Sequence, residues 1–376
     1  MATTEASGSP VRHDDPERLA ADVCRLGADA GLAAVGIAGA GVFTSTRETL
    51  HARRRAGLHG GMQFTYRNPD RSTDPGRILD GARSLVVGAL GYRRSEPPRA
   101  DRTAGRPAGV VARYARRDHY ADLAGALDRV AERLRSDGWR AVVVLDDNAL
   151  VDRAAAQRAG LGWYGRNTLL LLPGLGSWFL LGSVVTDAPL PATGARGPSG
   201  PAEGCGPCRR CVTACPTGAL VDDGVLDARR CLAWLVQAPG TFPVEFRAAL
   251  GGRIYGCDDC QSVCPVNRTA DRRYPPPGPE PGTTDAVDLL GLLAATDEEL
   301  LATHGRWYVP GRDPRYLRRN ALVALGNVGD GGDPATVAAL ERWAHGDDPL
   351  LAEHARWAAG RLGREDVVGA AAGAAR

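Results

Sequence analysis

The chain of 376 residues contains no lysine; all 46 of its basic side chains are arginine. Arginine abundance is therefore a property of the whole chain, as in a GC-rich genome, and it excludes reading abundance as a sign of nucleic-acid binding. Arginine clusters count only by position. A strong electrostatic field is also missing, since the net charge is +2. No long unbroken apolar run occurs: Leu169 to Val185 is interrupted by Pro173, Gly174, Gly176 and Gly182. That pattern excludes a membrane helix and reads as buried strands around a turn. The opening stretch MATTEASGSPVRHDDPE lacks the apolar core of a signal peptide. Cysteine is nearly absent outside one stretch, where eight of the nine cysteines fall. Clustered thiols without an export signal predict a reducing cytoplasm and no membrane. The ninth, Cys24, reads as a small buried hydrophobe on an N-terminal helix.

What is present is the composition of an ordinary globular protein, with 44% hydrophobic and 24% charged residues, long enough for two or three domains. The cysteine stretch opens with Cys205, Cys208, Cys211 and Cys215-Pro216, which fits the ferredoxin pattern C-x2-C-x2-C-x3-C-P of [4Fe–4S] ligation. It closes with Cys257, Cys260 and Cys264-Pro265, and Cys231 lies between. Eight thiolates make two [4Fe–4S] clusters. In two-cluster ferredoxins the fourth cysteine of each run serves the other cluster. Cys205, Cys208 and Cys211 are thus expected to share a cluster with Cys264, and Cys215, Cys231, Cys257 and Cys260 to hold the second. The prolines end short helical turns and aim Cys215 and Cys264 across. Zinc sites use C-x2-C pairs but rarely this run of four, and a disulfide framework does not suit the compartment.

Along the chain, residues 16–34 show helical spacing of Leu19, Val23, Leu26 and Ala30, followed by a strand over 33–37. A basic helix is expected over His51–Leu58, and Ser84–Leu90 reads as a central strand. Arg93–Pro107 reads as a loop and Val110–Ala115 as a further strand. Asp122–Ser136 is an amphipathic helix and Ala141–Leu145 another buried strand. The alternation predicts an α+β or α/β domain with a mixed sheet over 1–195. A ferredoxin-like double-cluster domain is expected over 196–275, bounded by Pro- and Gly-rich linkers at 189–204 and 275–281. A helical tail is expected over 276–376. In it Arg319–Gly326 resembles Glu353–Gly360, a weak repeat that suits HEAT-like helical pairs.

Placed in order, several further blocks make the chain resemble the epoxyqueuosine reductase family, cobalamin-dependent tRNA-modifying enzymes related to reductive dehalogenases. These are His59-Gly60-Gly61-Met62, Asn68-Pro69, Asp74-Pro75, Gly81-Ala82-Arg83-Ser84, Ala112-Arg113-Tyr114-Ala115 and Asp146 to Arg153. Ala159 to Thr168, Gly176-Ser177-Trp178 with Leu181-Gly182, the cysteine array, Leu317-Arg318-Arg319-Asn320 and Ala324 to Asn327 complete them. The resemblance covers nearly the whole chain. It implies cobalamin in the first domain, two clusters feeding it from an external electron donor such as a flavodoxin or ferredoxin, and the anticodon stem-loop of tRNA as partner. The implied reaction reduces epoxyqueuosine at the wobble position to queuosine.

Residue by residue, the resemblance implies that Asp146 is the proton donor, with Asp147 its neighbour and Asp152 the alternative. A carboxyl at a strand end beside a cofactor has a raised pKa; a carboxylate capping a helix starting near Ala149 is the plainer reading. Arg113 and Tyr114 are implied to line cobalamin, against a strand-end ion pair and a core aromatic. Asn167, Ser177 and Gly182 belong to glycine-rich blocks that let backbone approach a flat cofactor, or to ordinary turns. Arg312, Arg315, Arg318 and Arg319, with Arg306 nearby, are implied to contact tRNA phosphates, against a solvated helix face. Trp307 and Tyr308 would stack on a base or lie in the core. The chain departs from the family pattern at three places: Arg166 replaces a lysine, Asp118-His119-Tyr120 replaces Asp-Tyr-His, and Gly305–Pro310 differs before the tail. Neither His119 nor Tyr120 is carried over as a ligand. Competing readings are a dehalogenase-like corrinoid reductase and a non-catalytic double-cluster electron carrier.

Overall fold

The computed structural model describes residues 15–95, 106–194, 198, 200–279, 283 and 285–369. The polar opening stretch 1–14, the centre of the expected 93–107 loop and parts of both expected linkers lie outside the described residues. The first helix, α1 (Pro16–Asp29), starts at Asp15, whose carboxylate accepts the amides of Glu17 and Arg18, and carries Pro16 in its first turn. Gly31, at φ +96°, ends the turn into β1 (Ala34–Gly39). There follow α2 (Thr44–Arg55), β2 (Ser84–Gly91), β3 (Ala108–Val111), α3 (His119–Ser136), β4 (Ala141–Leu145), α4 (Asp152–Arg158) and β5 (Phe179–Thr186).

Four of these strands form one sheet in the order β1-β2-β5-β4, and every neighbouring pair is antiparallel. The expected mixed sheet is corrected here. The apolar run of β2 looks like a parallel strand because both faces of the sheet are covered. Leu85, Val87 and Ala89 pack toward Ala154, Ala155 and Ala156 of α4, while Val86 packs with Val23 of α1 and Leu127 of α3. The strand expected at Val110–Ala115 is also corrected. β3 leaves this sheet, and Arg113–Ala115 forms a 3-10 turn after it. Its partners come from far downstream: β6 (Arg253–Tyr255), parallel, and β7 (Ala286–Asp288), antiparallel. No local pattern reveals partners so distant.

Besides several one-turn helices, the later part of the chain forms α5 (Leu232–Leu235), α6 (Val244–Leu250), α7 (Pro265–Arg273), α8 (Leu289–Ala294), α9 (Asp297–His304), α10 (Arg315–Val328), α11 (Pro334–Ala344) and α12 (Pro349–Arg361). α10 is the buried axis of this half. Gly326 lets α12 come close, since a Cβ there would sit 2.8 Å from the Ala358 Cα. The Arg319 guanidinium is fully buried and donates to the carbonyls of Leu235, Val236, Ala238 and Gly240. Asn320 donates to Val236 and Ile254. Together they bond carbonyls of the turn after α5 and one of β6. Arg318, also buried, bonds the Ala295 carbonyl and the Asp297 carboxylate. The expectation that Arg318 and Arg319 contact tRNA is therefore corrected: both guanidiniums are tied to protein groups away from solvent. Among the described residues, no helix is long and apolar enough to cross a membrane.

Candidate active site and cluster-binding segment

The cysteine segment is built from short turns. Helical turns at Pro201–Cys205, Arg210–Ala214 and Asp259–Ser262 carry or adjoin Cys205, Cys211, Cys215 and Cys260. Cys215 and Cys264 are extended, as residues before proline must be, and Pro265 then opens α7. All eight thiols are free of disulfides. Cys264 lies within electrostatic reach of Cys205 and Cys208, and Cys211 of those three. Cys231 feels Cys215, Cys257 feels Cys231, and Cys260 feels Cys257, Cys231, Cys211 and Cys215. Burial pushes the thiols of Cys211, Cys231, Cys257, Cys260 and Cys264 up, Cys257 to about 12. Buried thiols gathered this way are what a bound metal centre deprotonates.

Three clamps fix the segment to the first half of the chain. Arg166 donates to the carbonyls of Gly206 (2.5 Å) and Cys208 (2.8 Å) and pairs with Asp223 at 2.9 Å. The planar fork reaches three groups at once, which an ammonium on a flexible stem does less well. Ser177 is the second clamp. Its amide and hydroxyl are bonded to Asn267, while Gln261 donates to its carbonyl and hydroxyl. Gly176 makes this approach possible, because a Cβ there would lie 2.0 Å from Asn267 Oδ1. The third is Asp258, between two cysteines, which accepts the Arg113 amide at 2.8 Å.

These contacts revise part of the expected cofactor set. The Ser177 hydroxyl is committed to Asn267 and Gln261. Asn167 is buried and accepts the Leu169 amide inside its own turn. At Gly182 the space a side chain would fill is taken by Leu127 of α3, 2.6 Å from a Cβ, so this glycine serves helix-on-sheet packing. None of the three offers the expected face to a cofactor. Arg113 and Tyr114 do lie at the junction with the cysteine segment. The Arg113 guanidinium sits 4.5 Å over the Trp178 ring, and Tyr114 is covered by Tyr255 and Gly256.

The acid loop lies on the other side of this junction. β4 ends at Leu145, and Asp146 follows at φ +46°, a conformation costly for a residue with a side chain. Asp147, not Asp146, does the local capping, accepting the Ala149 amide at 2.7 Å. The helix expected near Ala149 begins at Asp152, and no side chain caps it. The loop is latched from the 64–72 segment: Ser72 Oγ donates to the Asn148 carbonyl (2.6 Å), and Arg71 donates to its Oδ1 (2.9 Å). Arg67, Asn68, Arg71, Ser72 and Asn148 line a cavity of about 250 Å³ beside it.

Burial raises the Asp146 carboxyl, with a hydrogen bond from Tyr120 opposing and Asp147 adding. Asp152 is pushed up to about 8, first by burial and then by Asp146. Its residue keeps some exposed surface, but Oδ1 is covered and has no hydrogen-bond partner among the described residues. Tyr120, raised by burial, faces both carboxyls and Tyr92, and Tyr92 in turn feels Asp258 and Cys260. Acid loop and cysteines are thus joined by two tyrosines. In the order His119-Tyr120 the tyrosine faces the acid and His119 lies against Tyr92, 5.6 Å between rings. Sequence reasoning missed Tyr92, Tyr120 and the Ser72–Asn148 latch; only the departure at 118–120 pointed toward any of them.

Of the remaining candidates, Arg312 and Arg315 are exposed, Arg312 donating to the Gly305 carbonyl and Arg315 pairing with Asp313. Tyr308 is 58% exposed, whereas Trp307 is buried and stacked 4.9 Å from Tyr255, a core residue. Arg306 donates to the Ala115 carbonyl.

Residues 204–267 match the profile of a 4Fe-4S double cluster binding domain. An epoxyqueuosine reductase of Xanthomonas campestris is 36% identical over 361 residues, covering 93% of this chain and 98% of that one. A crystal structure of an epoxyqueuosine reductase with a tRNA-Tyr epoxyqueuosine-modified stem loop aligns with TM-score 0.82 at 31% identity, covering 93% of this chain and 91% of that one. The Bacillus subtilis enzyme, solved with its catalytic aspartate loop swung out of the active site, aligns at TM-score 0.81 and 30% identity over 94% of this chain and 92% of its own. On full-length similarity and a shared fold, this chain belongs to the epoxyqueuosine reductase family, which are oxidoreductases.

Proposed function

We propose that this protein reduces epoxyqueuosine in tRNA to queuosine, releasing the epoxide oxygen as water. The observation that carries the reading is the chain-long similarity to epoxyqueuosine reductases, one of them solved with the modified stem loop. The reaction takes up two electrons and two protons. Two [4Fe–4S] clusters, charged by an external donor such as a flavodoxin or ferredoxin, supply the electrons; Cys205, Cys208, Cys211 and Cys264 hold one and Cys215, Cys231, Cys257 and Cys260 the other. The neighbourhoods of Cys264 and Cys231 favour this crossed pairing.

Cobalamin fits the junction between the acid loop and the cysteines. One covered polar atom there, Trp178 Nε1, lacks a partner among the described residues. A polar-rimmed cofactor supplies such a partner. Arg113, Tyr114 and the Asp146 loop would hold it, and when bound it supplies the reducing centre that opens the epoxide. Three features of Asp146 support the proton-donor role: its carboxyl is raised, it faces Tyr120, and it sits on a loop. The Bacillus subtilis relative was solved with its catalytic aspartate loop swung out of the active site, and we read the Asp146 loop as its counterpart. Tyr120 orients the acid.

For the stem loop, Arg312 and Arg315 remain as phosphate contacts and Tyr308 as a stacking surface, with Arg67 and Arg71 near the acid loop. We read the organisation as a catalytic unit over 1–195, a cluster unit over 196–275 and a HEAT-like helical unit over 276–376, the first lending β3 to a sheet with the other two. Action on tRNA and unpaired thiols favour a cytoplasmic location. A strain lacking this gene is expected to accumulate epoxyqueuosine in tRNA that the restored gene clears. Normal queuosine in that strain would sink the reading.

A further inference from the structure

The reduction consumes two protons, and one carboxyl donates one before it must be recharged. Among the described residues, the acid that joins Asp146 and its neighbour Asp147 at this pocket is Asp152, in the first turn of α4. It has no structural return for its position. It caps no other residue, its Oδ1 is covered and unpaired, and a covered carboxyl oxygen without a partner is a cost to the fold. The groups facing it come from every neighbouring element: Asp146 and Asp147 from the loop after β4, Tyr120 from α3, Tyr164 from the hairpin after α4, and Arg153 beside it. Arg153 is exposed and donates to the Thr168 carbonyl at 2.9 Å, so its charge is drawn off toward another partner. The remaining neighbours are acids and phenols. Tyr120 faces both carboxyls and is hydrogen-bonded to Asp146, so the three form one polar cluster.

We propose that Asp152 is a proton reserve behind Asp146, supplying the second proton of the reduction. The role rests on the reading under Proposed function. Asp146 gives its proton to the epoxide oxygen as the first C–O bond breaks. Asp152 then passes its own proton to the Asp146 carboxylate, which gives it up as the second C–O bond breaks and water leaves. The two electrons enter from the clusters, and solvent returns both protons afterwards. Holding two carboxylates side by side is unfavourable, which drives each transfer toward the substrate and makes uptake from solvent favourable between turnovers. Burial keeps Asp152 protonated at neutral pH, so the reserve is filled when substrate arrives. Asp152 acts through Asp146 and need not touch the substrate.

The test is infrared spectroscopy of the cluster-loaded protein, titrated across neutral pH into the alkaline range. Protonated-carboxyl C=O intensity that titrates is expected in the parent from both acids, and Asp146→Asn is expected to keep the part that Asp152→Asn loses. No protonated-carboxyl difference between the parent and Asp152→Asn, or no such band in the parent, overturns the proposal. With cobalamin and the epoxyqueuosine stem loop, Asp152→Asn is expected to lower multiple-turnover kcat about tenfold or more and to remove the alkaline limb of its pH profile, leaving stem-loop affinity unchanged. Asp152→Glu is expected to restore that limb, a readout a packing role would not move. An unaltered pH profile in Asp152→Asn overturns the proposal. A parent that binds the stem loop but never reduces it overturns the function reading, and this role with it, even where the band belongs to Asp152.

Discussion

The cysteine segment and the acid loop both place ionisable groups where water is scarce, but they are assembled in opposite ways. The cysteines come from one stretch of chain, at spacings set by the reach of short turns around a fixed cluster. The acid pocket draws Asp146 from a strand end, Asp152 from a helix start, Tyr120 from another helix and its latch from residues 71 and 72. Metal ligation demands contiguous geometry, whereas a raised carboxyl demands burial, which only tertiary structure provides. One region therefore tolerates no change of spacing, and the other no change of surroundings.

Substitutions sharpen the contrast. The largest effect is expected at Cys260, whose sulfur neighbours thiols of both groups: Cys260→Ser should remove at least one cluster, read as a fall in iron and sulfide content. Changes in the acid pocket should leave that content intact. Next is Arg319→Met, which strips a donor from four carbonyls, leaves those of Ala238 and Gly240 without another among the described residues, and should cost about 3–5 kcal/mol, seen as a lower unfolding midpoint. Smaller, and opposite in sign, is Asp152→Asn. The Asp152 pKa is raised from 3.8 to about 8 in the folded protein. Below the unfolded value both states hold the proton, and stability from this group falls as pH rises toward the folded value. Asp152→Asn should therefore become more stable than the parent near the top of that range, and match it at the bottom. The smallest is Ser72→Ala, which deletes one bond to the Asn148 carbonyl and should cost about 1 kcal/mol while raising the mobility of the acid loop in hydrogen exchange.

Particular residues show what the sequence carries. The cluster-binding segment is legible because proline and spacing encode it locally. The central strand β2 is legible from its apolar run, but that run cannot distinguish a parallel strand from an antiparallel one covered on both faces. β3 looks like a fourth member of the same sheet because its true partners lie far downstream. Arg318 and Arg319 look like phosphate contacts since charge is visible in a sequence and burial is not; Arg312 and Arg315, a few residues earlier, keep the exposure that a contact needs. Gly182 and Ser177 carry the family pattern for packing and clamping reasons. Tyr120 is hidden in a reversed dipeptide whose meaning depends on which way α3 starts.

Central to the proposed mechanism is Asp146, delivering protons to an epoxide reduced by the adjoining clusters. The most direct test compares the parent with Asp146→Asn, both loaded with clusters and cobalamin, on an epoxyqueuosine-containing stem loop. The parent should produce queuosine, and the variant should keep its clusters and its stem-loop affinity while losing turnover by about a hundredfold or more. A variant that turns over at the parent rate would contradict the mechanism.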